Sequence, residues 1–164
     1  MEGTRPYVLA VDDSPDTADS FAMLLGLWGY DVRACYSGAE ALDAARTRPP
    51  DAALLDVGMP GMDGFRVGRL LRAVPGCGMV IVIAATGYTA EAHRARGREA
   101  GFDHYLIKPL DLELLRSLLA RSVGRPRAAG WGGGPGRQPE GGVVRIGRWP
   151  TALRAHESRL VPAT

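Results

Sequence analysis

Four places in this chain set a chemically capable side chain at the end of a short apolar run. They are Asp12-Asp13 after Tyr7–Val11, Asp56 after Ala52–Leu55, Thr86 after Met79–Ala85, and Lys108 after His104–Ile107. If those runs are parallel strands, their ends share one edge, and three carboxylates, a hydroxyl and an ammonium meet there. Like charges about 4 Å apart repel by about 4 kcal/mol at an effective dielectric of about 20, so protons or a cation must relieve the crowding. Oxygen ligands suit a hard divalent ion, and Mg2+ typically takes one or two carboxylates while keeping waters for a substrate phosphate. A carboxylate nucleophile, Mg2+, an ammonium and a hydroxyl make a site for a phosphoryl group and its equatorial charge.

Taken singly, each residue has an ordinary reading. Asp12-Asp13 suits a solvated turn and helix cap, and Asp56 can simply initiate the turn before Gly58. Thr86 beside Gly87 is common turn chemistry, Tyr105 is a core aromatic, and Lys108 is a surface lysine. Their joint placement at strand ends is what favours the functional reading.

The elements that must position them follow from periodicity. Tyr7–Val11 is the first strand, and Asp13-Ser14-Pro15 opens a helix through Phe21, Leu24, Leu25 and Trp28 that Gly29 stops. Residues 30–35 form a less apolar strand, expected at an edge, and Ser37–Arg46 a helix with Ala41, Leu42 and Ala45 on one face. Ala52–Leu55 is an unbroken apolar run, the mark of a strand buried on both faces. Gly58, Pro60, Gly61 and Gly64 then force a loop. Phe65–Ala73 is a helix with Phe65, Leu70 and Leu71 as its apolar residues, and Met79–Ala85 is the most strand-like segment. Residues 89–100 form a charged helix, expected to be the loosest because Gly97 costs it about 1 kcal/mol relative to alanine. His104–Ile107 and an amphipathic helix over 110–123 complete five strand–helix alternations. That pattern predicts an α/β fold, a doubly wound five-stranded parallel sheet with helices on both faces.

The 164 residues are 46% hydrophobic and 23% charged, ordinary for a globular protein. A net charge of +2 hides an asymmetry: residues 1–121 carry 13 Lys and Arg against 16 Asp and Glu, and residues 122–164 carry 7 against 2. The latter stretch also holds 9 glycines and 5 prolines in 43 residues. It is expected to be a flexible, disordered tail (residues 124–164), because such a composition buries too little apolar surface to offset its ordering entropy. Cys35 and Cys77 suggest neither a thiolate metal site nor a disulfide framework. His93, His104 and His156 lack metal-site spacing. Residues 1–6 do not resemble a signal peptide, and no apolar stretch approaches the ~18 residues of a membrane span, so a cytoplasmic location is expected.

In this order and spacing, three features are highly specific: Asp12-Asp13, the run Leu55-Asp56-Val57-Gly58-Met59-Pro60-Gly61-Met62-Asp63-Gly64, and Thr86-Gly87 followed by Tyr105 through Lys108-Pro109. Over residues 6–123 the chain resembles a response-regulator receiver domain of two-component signalling. The resemblance implies a flavodoxin-like sheet of strand order 2-1-3-4-5, which sets Asp12 and Asp13 beside Asp56. It also implies that Asp56 accepts a phosphoryl group from a sensor histidine kinase or histidine phosphotransfer protein. Asp13 would then ligate Mg2+, Asp12 would act through water, and the Gly58 carbonyl would complete the set. Lys108 would pair with phosphoryl oxygens, Thr86 would move toward the phosphate, and Tyr105 would turn inward behind it. The surface of the fourth helix, fifth strand and fifth helix would carry the signal, and the Lys108–Pro109 bond would be cis. Gly58 and Tyr88 would flank the site where dephosphorylation is tuned. The resemblance implies a phosphoacceptor signalling domain and not an enzyme, and leaves room for a phosphorylation-dependent homodimer.

Two other classes compete. A binding module could keep the fold and signal without phosphate, although every acceptor-site residue is present. A nucleic-acid binder could use the basic tail, although a solvated segment is the expected reading of those arginines and nucleic acid is not the expected partner.

Overall fold

The computed structural model describes residues 4–87 and 91–124. The expected tail beyond Gly124, Tyr88, and the first two residues of the expected 89–100 helix lie outside those residues. Five strands and five helices alternate: β1 Tyr7–Val11, α1 Pro15–Leu27, β2 Asp31–Cys35, α2 Gly38–Thr47, β3 Ala52–Asp56, α3 Gly64–Ala73, β4 Ile81–Thr86, α4 Glu91–Glu99, β5 His104–Ile107 and α5 Leu112–Ser122. All strand pairs are parallel, in the order β2-β1-β3-β4-β5. β2 is an edge strand with partly exposed side chains, as its weaker hydrophobicity predicts.

The central strands are apolar at every position because both of their faces are covered. Leu9, Val11, Leu55, Val82 and Ala84 pack with residues of α2 and α3, together with Phe102 and Tyr105. Val8, Leu54, Ile81 and Ile83 pack on the other face with Leu25 of α1 and Leu115 and Leu119 of α5. Strand side chains alternate between faces, so this division assigns every later residue of each strand to one side or the other.

Three local expectations need correction. Ser14 occupies the N-cap of α1 but makes no side-chain capping bond; Asp12 Oδ1 accepts the Ser14 N–H instead, at 2.9 Å. Leu70 is exposed, while Val67 and Gly68 are buried, because α3 turns its 65, 67, 68 and 71 positions to the sheet. Met79 lies outside β4 and is exposed, since pairing with β3 starts at Ile81 opposite Ala52.

One buried polar clamp ties α3 to the sheet. Arg72 donates from Nη2 to Asp103 Oδ2 at 2.6 Å, from Nε to the Gly101 carbonyl at 2.8 Å, and from Nη1 to the Val80 carbonyl at 3.0 Å. Asp103 Oδ2 also accepts the Val82 N–H at 2.9 Å. Removing one partner of such a pair strands the other in a poorly hydrated place. Asp103→Ala is therefore expected to cost about 3 kcal/mol, read as a lower urea midpoint at unchanged slope. Both cysteines are buried, and burial, with a smaller push from Glu40, raises the Cys35 thiol to about 11. Neither thiol should react with maleimide at neutral pH until the chain is unfolded, which a labelling time course with and without urea will show.

Candidate functional site

The β1–β3 register places Val11 opposite Leu55, so the next residues, Asp12 and Asp56, emerge side by side at the carboxyl edge. This is the point where the strand order reverses, and crevices open there in sheets of this kind. Ligand oxygens of Asp12, Asp13 and Asp56 lie within 4.8 Å of one another. Asp12 is buried, Asp56 is half-buried and Asp13 is exposed. An all-oxygen donor set of this composition fits a hard cation such as Mg2+.

Lys108 reaches the same cluster from β5. Its Nζ lies 3.0 Å from Asp12 Oδ2 and 3.5 Å from Asp56 Oδ1. Burial pulls the Lys108 ammonium toward the neutral form, but the hydrogen bond to Asp12 and the charge of Asp56 outweigh it, so its pKa is raised. The Lys108 N–H donates to the Thr86 carbonyl at 2.7 Å, and the Lys108–Pro109 bond is cis. One ammonium against three carboxylates leaves the ionised cluster with a surplus of negative charge, which a divalent cation would offset.

The loop after β3 is held closed from both ends. The Gly58 N–H donates to Asp56 Oδ1 at 3.1 Å, fixing one oxygen of that carboxylate. The Gly64 N–H donates to the Val57 carbonyl at 3.2 Å. A Cβ at Gly64 would stand 2.5 Å from the Asp56 carbonyl oxygen and 2.7 Å from Val57 Cα, so only glycine allows α3 to start against the strand end. Asp63 caps α3 by accepting the Arg66 N–H at 2.9 Å and pairs with Arg96 of α4 at 3.1 Å. The Arg96 guanidinium also lies 4.3 Å above the Phe65 ring.

Thr86 and Tyr105 belong to the same edge but to the other face. Thr86 continues the alternation of Val82 and Ala84 and is fully buried. Tyr105, paired with Ala84, is buried among the residues covered by α2 and α3. The structure thus brings Asp12, Asp13, Asp56 and Lys108 together, with Gly58 at their rim, and sets Thr86 and Tyr105 behind them. The Gly58 N–H contact, the Gly64 close approach and the Asp63–Arg96 pair are additions to the sequence reading. Among these, only Gly64 had a sequence signal, as a glycine just after a capping aspartate.

A parallel doubly wound sheet with an acidic cluster at its switch point defines a flavodoxin-like domain with a candidate cation site. Comparison with known proteins narrows it. The family model described as the response regulator receiver domain matches residues 8–120. The chain is 42% identical over 118 residues to the transcriptional regulatory protein PrrA of Mycobacterium tuberculosis, covering 72% of this chain and 48% of that protein. It is 35% identical over 162 residues to the transcriptional regulatory protein AruR of Pseudomonas aeruginosa, covering 95% of this chain and 63% of that protein. The chain therefore spans about half to two thirds of the length of these curated relatives. Among solved structures, the chemotaxis protein CheY4 of Vibrio cholerae superposes with a TM-score of 0.69 at 30% identity, covering 73% of this chain and 99% of that one. The chain belongs to the response regulator receiver domain family of two-component systems. Among the described residues, no helix is long and apolar enough to cross a membrane.

The raised pKa of Lys108 has a signed consequence. A folded-state value above the unfolded one means that the ammonium's contribution to stability is fully present below the unfolded pKa and is lost as pH rises through the folded one. The urea-midpoint difference between the parent and Lys108→Met should stay constant from about pH 7 to 9. It should then shrink above pH ~10.4, the ordinary lysine value.

Proposed function

We propose that this chain is a phosphoacceptor in a two-component phosphorelay, with residues 6–123 as the functional unit. Asp56 takes a phosphoryl group from a phosphohistidine on a sensor kinase or histidine phosphotransfer protein, which places the chain in the cytoplasm with it. The Asp56 oxygen attacks phosphorus as the N–P bond breaks, and the histidine ring keeps the electron pair and takes up a proton. Oδ1 of Asp56 is held by the Gly58 N–H and faces Lys108, which leaves the second oxygen for attack. Asp13, Asp56 and the Gly58 carbonyl would hold Mg2+, with Asp12 acting through water, and the ion would supply positive charge to the phosphoryl oxygens. Lys108 stays an ammonium at neutral pH and pairs with those oxygens once phosphate draws it from Asp12.

The observation that carries this reading is the convergence of Asp12, Asp13 and Asp56 within 4.8 Å, with Lys108 bridging two of them. Thr86 and Tyr105, on the face behind, are the residues through which the phosphorylated state is passed to the surface of α4, β5 and α5. The shift is a two-state equilibrium biased by phosphate, and a phosphorylation-dependent homodimer is one output it can have. The domain assists its own phosphorylation and dephosphorylation without turning over a separate substrate. The described residues are assigned no contact with nucleic acid; DNA binding is named for relatives such as MtrA of Mycolicibacterium smegmatis, of whose length this chain covers 52%.

Incubation with a small phosphodonor and Mg2+ should add one phosphoryl group by intact mass. Chelation should slow that gain about 100-fold or more, and Asp56→Asn should abolish it. A gain that persists in Asp56→Asn, or that ignores Mg2+, rejects the reading.

A further inference from the structure

The outer ridge of α1 carries an apolar stripe that no described residue covers. Met23 is 70% exposed and Leu27 80%. Asp16, Ser20, Met23 and Leu27 recur at helical spacing and so share that ridge. Asp16 and Asp19 are exposed, and α1 contains no Lys or Arg. The ridge is therefore acidic at its start and apolar at its end.

The described chain ends beside this ridge. The Tyr30 hydroxyl lies 3.5 Å from the Gly124 carbonyl oxygen, which sets the end of α5 against the turn that follows α1. Residues 125–164 continue from there with 7 Arg against 2 Glu, whereas residues 1–121 carry 13 Lys and Arg against 16 Asp and Glu. Within them, Val143-Val144-Arg145-Ile146-Gly147-Arg148-Trp149 combines apolar side chains with two arginines and no acid. Trp131, by contrast, stands among glycines. The 18 residues between Gly124 and Val143 can span up to about 60 Å, against about 20 Å for the length of α1.

We propose that residues 143–149 dock on the α1 ridge, with their apolar side chains over Met23 and Leu27 and their arginines facing Asp16 and Asp19. A second copy of the domain fits the ridge less well, because it would bring one acidic ridge against another. Tethering makes a modest affinity sufficient. At an effective concentration of about 1 mM, a segment that binds with a Kd of about 0.2 mM covers the ridge about four fifths of the time. The proposal is independent of phosphorylation at Asp56.

Met23 and Met79, at 70% and 78% exposure, are a matched pair for the test. Hydrogen peroxide converts an accessible methionine to its sulfoxide, and peptide mass spectrometry of the full chain reads each rate separately. Met23 should oxidise about fivefold more slowly than Met79 at every protein concentration, and the difference should narrow as salt is raised. Arg145→Glu with Arg148→Glu should bring the two rates together, and adding Asp16→Arg and Asp19→Arg should restore the difference. A Met23 rate equal to or above that of Met79 in the parent chain overturns the proposal. So does protection of Met23 that survives the arginine substitutions, which would assign the cover to another segment. Protection that fades on dilution also overturns it, in favour of a second copy, and so does a difference that the charge reversal fails to restore.

Discussion

Crowded negative charge at one edge of the sheet is the constraint on which the rest of the structure depends. Parallel pairing forces it: β1 and β3 run in the same direction in adjacent places, so their terminal acids cannot avoid one another. An antiparallel arrangement would have sent them to opposite edges. The framework tolerates the crowding because the strands behind the acids are buried on both faces, so the register cannot slip without exposing apolar side chains. Lys108 answers part of the charge from a third strand. A register fixed by the core thus holds three carboxylates against one ammonium at the strand ends, a donor set that fits a hard cation.

The same alternation that crowds the acids sets Thr86 and Tyr105 on the opposite face from Asp56. Asp56 continues the side of the sheet that carries Leu54, packed with residues of α1 and α5. Thr86 and Tyr105 continue the side that carries Val82 and Ala84, packed with residues of α2 and α3. The two sides meet around the strand ends, where the Lys108 N–H donates to the Thr86 carbonyl and the loop through Asp63 meets Arg96. The half-exposed Asp63–Arg96 pair contributes little to stability by itself. Its interest is its position between the loop after β3 and α4.

Legibility from sequence followed the range of the interactions. Buried parallel strands announce themselves as continuous apolar runs, and β1, β3 and β5 stand where those runs do. Acids, hydroxyl and ammonium were readable because each sits at the end of such a run, and the alternation of strands with helices implies a shared edge. Helix faces were less readable. Leu70 is exposed while Gly68 is buried, since Gly68 faces the Phe102 ring so closely that a Cβ there would collide with it. Pairings between distant side chains left no trace: Arg72 and Asp103 are 31 positions apart, Asp63 and Arg96 33, and nothing in local spacing selects one arginine among many.

Gly97 shows how a correct local rule can lead to an incomplete account. Glycine within α4 does weaken that helix, but the residue is buried against two aromatic rings, so the weakness accompanies a specific fit. The sequence of α4, Glu91–Glu99, contains no large aliphatic residue at all, whereas α1 and α5 each bury leucine. Among its described contacts, Phe102 and Tyr105 lie under Gly97, and Phe65 and Asp63 lie against Arg96. Contacts of that kind bury less aliphatic surface than the leucines that seat α1 and α5.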